Sequence, residues 1–131
     1  MMKGFKKVYI CSPLSAPTRK GIEDNMAKAG EYMEAISAGL NCRAVAPHAF
    51  LPAFLDDNDP VERKIGLEFG LRYLCTCDAL IVCGDRITGG MSAEIAKAIE
   101  LGIPVYIFHG GALQGCSIGD CDFARLLRRW L

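Results

Sequence analysis

The chain carries no surplus of charge: fifteen lysines and arginines offset fifteen aspartates and glutamates among its 131 residues. A chain balanced in this way sets up no long-range field to gather polyanions, so nucleic acid is not an expected partner, although a local patch can still hold a phosphate. Long apolar runs are missing as well, and none approaches the roughly 20 residues that cross a bilayer, so no membrane partner is expected. Neither G-x-G-x-x-G nor G-x-x-x-x-G-K-[ST] occurs, which removes the dinucleotide fingerprint and the Walker phosphate loop. There is no internal repeat and no low-complexity tract.

Cysteine is plentiful, but its seven copies are odd in number and irregular in spacing. The opening "MMKGFKKVYIC" lacks the apolar core and small-residue cleavage site of a secretory signal, so reduced thiols in a cytoplasmic protein are expected. Cys75-x-Cys77 and Cys116-x4-Cys121 have neither zinc-site nor redox-pair spacing, and buried cysteine packs as a small hydrophobe.

At 51% apolar, the composition is enough for one packed core, so a single domain over residues 1–131 is expected. Four short runs, "KVYIC" (7–11), "RAVA" (43–46), "ALIVCG" (79–84) and "VYIF" (105–108), read as strands covered on both faces, with helices between them. The class is α/β, and runs covered on both faces suit a parallel sheet. Thr18 is an N-cap candidate for a first helix with Ile22, Met26, Ala29, Met33, Ile36 and Leu40 along one stripe. Asp59, Pro60 and Glu62 form a capping-box start for a second helix, expected to reach about Cys77. A third is expected from about Met91 to a stop at Gly102 and Pro104, and "DFARLLRRWL" (122–131) closes the chain as a fourth. The loops "CSPLSAPTRKG" and "PHAFLPAFLDDNDP" follow strands at the carboxyl edge, where open α/β sheets bind ligands.

One acid stands out. Glu94 follows the glycine and hydroxyl residues of "DRITGGMSAE", where helix amides with Thr88 and Ser92 can hold an anionic or polyhydroxylated ligand. Two accounts of Glu94 are open. A helix start stabilises any carboxylate by about 0.3–1 kcal/mol, and the same field keeps a carboxylate ionised for attack on a carbon such as a sugar C1′.

The ordered set "VYICSPLS", "NCRAVAPH", "CDALIVCGD" and "GGMSAEIAKAIELGIPVYIF" resembles the nucleoside 2-deoxyribosyltransferase-like superfamily, and most closely an uncharacterised bacterial and phage-associated branch of it. The likeness spans residues 7–108. It implies a flavodoxin-like fold, a doubly wound parallel sheet in three layers, a homo-oligomer (dimer or larger), a small-molecule nucleoside or nucleotide as ligand, and no metal or other cofactor. It also implies that Glu94, sixteen residues after Asp78, is the nucleophile at C1′. Tyr9 is then the positioning hydroxyl, Ser12 lies near sugar or phosphate oxygens, Thr88 contacts the 5′ group and Gly90 is a loop glycine.

One position departs from the pattern. Relatives carry an aspartate that assists base departure where this chain has Gly70; Glu68 lies round the far side of the helix, and Asp85 is a substitute from the loop. His48, in "APHAF", suits a proton donor, a base contact or a backbone hydrogen bond. Asp56, Asp57 and Asp59 read as solvated loop and cap rather than a metal cluster. A phosphoacceptor receiver is set aside because Cys11, Ser12 and Pro13 stand where it needs acids. A flavodoxin is set aside because its glycine-rich first loop is lacking. The expectation is N-glycosidic hydrolysis or transfer, with a non-catalytic nucleotide-binding domain of the same fold as the alternative.

Overall fold

The computed structural model describes residues 5–56, 58–109 and 112–116; the fourth helix expected over 122–131 lies outside the described residues, as does Asp57. Four parallel strands, β1 (Lys7–Cys11), β2 (Arg43–Val45), β3 (Ala79–Val82) and β4 (Val105–His109), lie in the order β2-β1-β3-β4. A fifth, β5 (Ala112–Cys116), adds antiparallel to the outer edge of β4. Parallel neighbours require crossovers. These are α1 (Arg19–Leu40) between β1 and β2, α2 (Pro60–Leu74) between β2 and β3, and α3 (Gly89–Leu101) between β3 and β4. The result is the expected doubly wound α/β sheet.

Side chains of a strand alternate between faces, and β1 sorts the core accordingly. Val8 and Ile10 pack with Ala29 and Ile36 of α1, whereas Tyr9 and Cys11 pack with Leu74 of α2 and with Met91, Ile95 and Ala98 of α3. Each fully buried Ile or Leu contributes about 1.5–3 kcal/mol, an upper estimate because the unfolded chain already hides part of its surface. Of the expected α1 stripe, Ile22, Ala29 and Ile36 are fully buried.

Caps set the helix limits. The Thr18 hydroxyl accepts from the Gly21 N–H at 3.0 Å, and Asn41 ends α1 in the left-handed region at φ 50°. Asp59 caps α2 through the Val61 and Glu62 amides at 2.9 and 3.3 Å. The reciprocal half of the expected capping box is absent, because the Glu62 carboxylate accepts from the Asp56 N–H instead, at 3.2 Å. That helix stops at Leu74, short of Cys77, as the Thr76 hydroxyl donates to the Tyr73 carbonyl at 2.7 Å and closes a turn. In α3 the start comes two residues earlier than expected. Thr88 accepts from the Met91 N–H at 3.3 Å and thereby draws both glycines into the first turn.

Candidate active site

The carboxyl ends of β1 and β2 open onto a hollow between the sheet and α2. Its walls include Leu14, Pro47, Leu51, Pro52, Leu55 and Leu67, with Tyr9, His48, Glu62, Arg63 and Glu94 as the polar members. Tyr9 and Glu94, 85 residues apart in sequence, meet there: the phenol O–H donates to Glu94 Oε2. The Cys11 thiol approaches the other oxygen, Oε1, at 3.5 Å. Strand alternation brings Tyr9 and Cys11 to this face together, and the second turn of α3 delivers Glu94 between them.

That turn matters. With α3 beginning at Gly89, Glu94 is its sixth residue, beyond the first turn in which the macrodipole acts. The expectation that the helix field keeps this acid ionised is therefore corrected. Glu94 is 3% exposed, and burial pushes its carboxyl above the ordinary value of 4.5, opposed by the nearby His48 and by the hydrogen bonds from Tyr9 and Cys11. Burial, then the adjacent Glu94 charge, raises the Tyr9 phenol and the Cys11 thiol as well, so both remain neutral donors.

Gly70 of α2 lies directly over this pair. A Cβ built on it would stand 2.7 Å from the Tyr9 hydroxyl and 3.2 Å from Glu94 Oε2. The space that a side chain at position 70 would need is taken by the hydrogen-bonded pair itself. Glu68, two residues earlier on α2, is exposed and does not line the hollow.

His48 sits in a single helical turn (Pro47–Ala49) after β2, with Nδ1 2.7 Å from the Ser12 carbonyl oxygen. A carbonyl only accepts, so Nδ1 carries the hydrogen and Nε2 is the nitrogen left for a ligand. Arg63, on the wall from α2, donates to the Ser15 hydroxyl at 2.8 Å.

Other expected site residues stand apart from this hollow. Asp85 is exposed beside Arg86, at 3.4 Å, and borders a second hollow on the α1 side with Pro13, Asn25, Lys28, Tyr32 and Gly84. It does not line the first hollow. The Thr88 hydroxyl is occupied by its cap, Ser92 faces solvent, and Gly90 lets Leu67 approach, a Cβ there lying 3.4 Å from Leu67 Cδ2. Ser12 contributes its carbonyl to His48, while its own buried hydroxyl finds no partner among the described residues. Among those residues no group of three or more His, Cys, Asp and Glu side chains gathers as a metal-ligand set; Asp59 is a cap and Asp56 accepts from Asn58 N–H at 2.9 Å.

Sequence reasoning missed the α2 wall. Glu62, Arg63, Gly66, Leu67 and Gly70 recur at the spacing of one helix face, and that periodicity was the available signal.

No curated protein matches the chain in sequence. Among solved structures it resembles a 2-deoxyribosyltransferase of Bacillus psychrosaccharolyticus, described as a biocatalyst for nucleoside synthesis, at TM-score 0.58 and 18% identity over 78% of this chain and 71% of that one. A conserved protein of Enterococcus faecalis V583 aligns at TM-score 0.53 and 20% identity, over 78% of this chain and 62% of that one. At such identities the likeness establishes a shared fold, a deoxyribosyltransferase-like α/β sheet. Over residues 6–108 the chain matches the model of DUF7768, a domain of unknown function, and it belongs to that family.

Proposed function

We propose that the chain cleaves or transfers at the N-glycosidic bond of a nucleoside or nucleotide, with Glu94 attacking C1′ and Tyr9 orienting it. The observation that carries this reading is the meeting of the Tyr9 hydroxyl with the Glu94 carboxylate on the wall of an apolar hollow. A buried acid held by a neutral donor and flanked by a histidine is an arrangement that functional sites favour, because desolvation is costly and folds otherwise avoid it. The apolar walls suit the faces of a base. Arg63 at the rim, rather than Thr88, Ser92 or Ser12, meets a 5′-phosphate. Assembly of two or more copies belongs to the same reading, with Val61, Ile65 and Phe69 exposed at four-residue spacing on one side of α2.

The reaction needs Glu94 as the anion. Because burial raises its pKa, turnover on the acid side rises with pH as the carboxyl ionises, from above 4.5 upward. Incubation with a panel of deoxynucleosides and their 5′-monophosphates, with Glu94→Ala alongside, tests the proposal. Free base from the parent and none from the variant is the expected result.

A second reading, a binding or sensing domain without turnover, is favoured by one observation: a glycine stands at position 70, where the resemblance implies an acid that assists departure of the base. Saturable binding with no release of base, equally strong in Glu94→Ala, would establish it in place of the first.

A further inference from the structure

With position 70 closed to any side chain by the Tyr9–Glu94 pair, a departing base needs its proton from elsewhere in the hollow. We propose that His48 is that donor, an inference that rests on the glycosidic reading of the site.

The other titratable walls are each unable to serve. Tyr9 has its proton committed to Glu94 and is buried. Arg63 does not release a proton in a protein. Glu62 is eight residues from Gly70, about 12 Å along α2, and is engaged by the Asp56 amide. His48 remains, and imidazole is the side chain that both gives and takes a proton near neutral pH. Its tautomer is set by geometry: the Ser12 carbonyl holds Nδ1–H at 2.7 Å, which leaves Nε2 to exchange a proton with a ligand. The same bond anchors the ring to the end of β1, the strand that also carries Tyr9.

In the first step the bond from Glu94 oxygen to C1′ forms as the C1′–N bond breaks, and the electron pair passes to the base, which takes the proton from Nε2 of the imidazolium. In the second, water attacks C1′ and gives a proton to Nε2, and the C1′–O bond breaks with its electrons returning to Glu94. The net change is one water consumed, with the enzyme restored. Among the described residues, the charged and titratable groups that line the hollow with His48 are Glu94 from α3, Tyr9 from β1, and Glu62 and Arg63 from α2.

The test compares a purine deoxynucleotide with its N7-methylated form, whose positively charged base leaves as a neutral molecule and needs no proton. His48→Asn retains a donor toward the Ser12 carbonyl. In a single turnover, with enzyme in excess so that only the first step is read, it is expected to slow release of the unmodified base by about 10²–10⁴-fold and release of the methylated base by less than about threefold. An equal loss on both substrates, or no loss on the unmodified one, overturns the proposal while leaving Glu94 chemistry standing. A parent protein silent on both substrates overturns the glycosidic reading itself. Should that variant not fold, His48→Gln is read in the same way: a loss on the unmodified base alone is expected, and an equal loss on both substrates, or none on the unmodified one, rejects His48.

Discussion

On the α2–α3 side of the sheet, Glu94 is 3% exposed and hydrogen-bonded to Tyr9, with its pKa raised by burial. On the α1 side, at the same edge, Asp85 stands in solvent against Arg86. Both acids follow the third strand, nine residues apart in sequence, and the fold treats them oppositely. Exposed ion pairs contribute about 0–1 kcal/mol, so Asp85 and Arg86 describe a surface. A buried carboxyl has to be held by donors and neighbouring charge, and that expense is what sets the first hollow apart from the second.

The largest expected break in this contrast is at Gly70. Gly70→Ala puts a methyl against the Tyr9 hydroxyl and should cost about 1–3 kcal/mol in denaturant unfolding through overpacking, with the proposed glycosidic activity lost alongside. Next comes pH. The folded pKa of Glu94 is raised, so its contribution to stability is fully present below 4.5 and declines as pH rises through the folded value. Glu94→Gln removes that dependence. The variant's melting temperature should gain on the parent's between pH 4.5 and neutrality, and parallel curves would show that the carboxyl titrates normally. The smallest effect, opposite in sign, belongs to the α1 side. A methyl added at Gly30 would meet nothing within 4 Å, and Gly30→Ala should stabilise by about 0.5–1 kcal/mol through helix propensity. A loss there would mean that α1 is more tightly packed than its surface indicates.

Much of the fold was legible in short patterns. Apolar runs marked the four parallel strands, and Thr18 and Asp59 marked helix starts, because such signals act within a few residues. The edge strand β5 was not found. "ALQGC" has no β-branched residue, and only the Gly110-Gly111 dipeptide before it hinted at a hairpin. In the site, Glu94 and Tyr9 were legible as a pair through resemblance. Thr88 was placed by resemblance at the 5′ group, and the local pattern did not show that it would cap α3, because where a helix begins varies by a residue or two within such a loop. Arg63 and the leucine walls depend on how α2 lies against the sheet, which local sequence does not encode.

Asp78 shows how position can be set from outside a site. Its carboxylate accepts the Lys6 and Lys7 amides at 2.8 and 3.0 Å, and its own amide donates to the Lys7 carbonyl at 2.7 Å. This stitch indexes β1 against β3 two residues before Tyr9. A slip of one residue would send the phenol to the α1 layer and bring Val8 or Ile10 to Glu94. A solvent-washed aspartate at the opposite edge of the sheet thus acts as the zero mark from which the tyrosine's reach is measured.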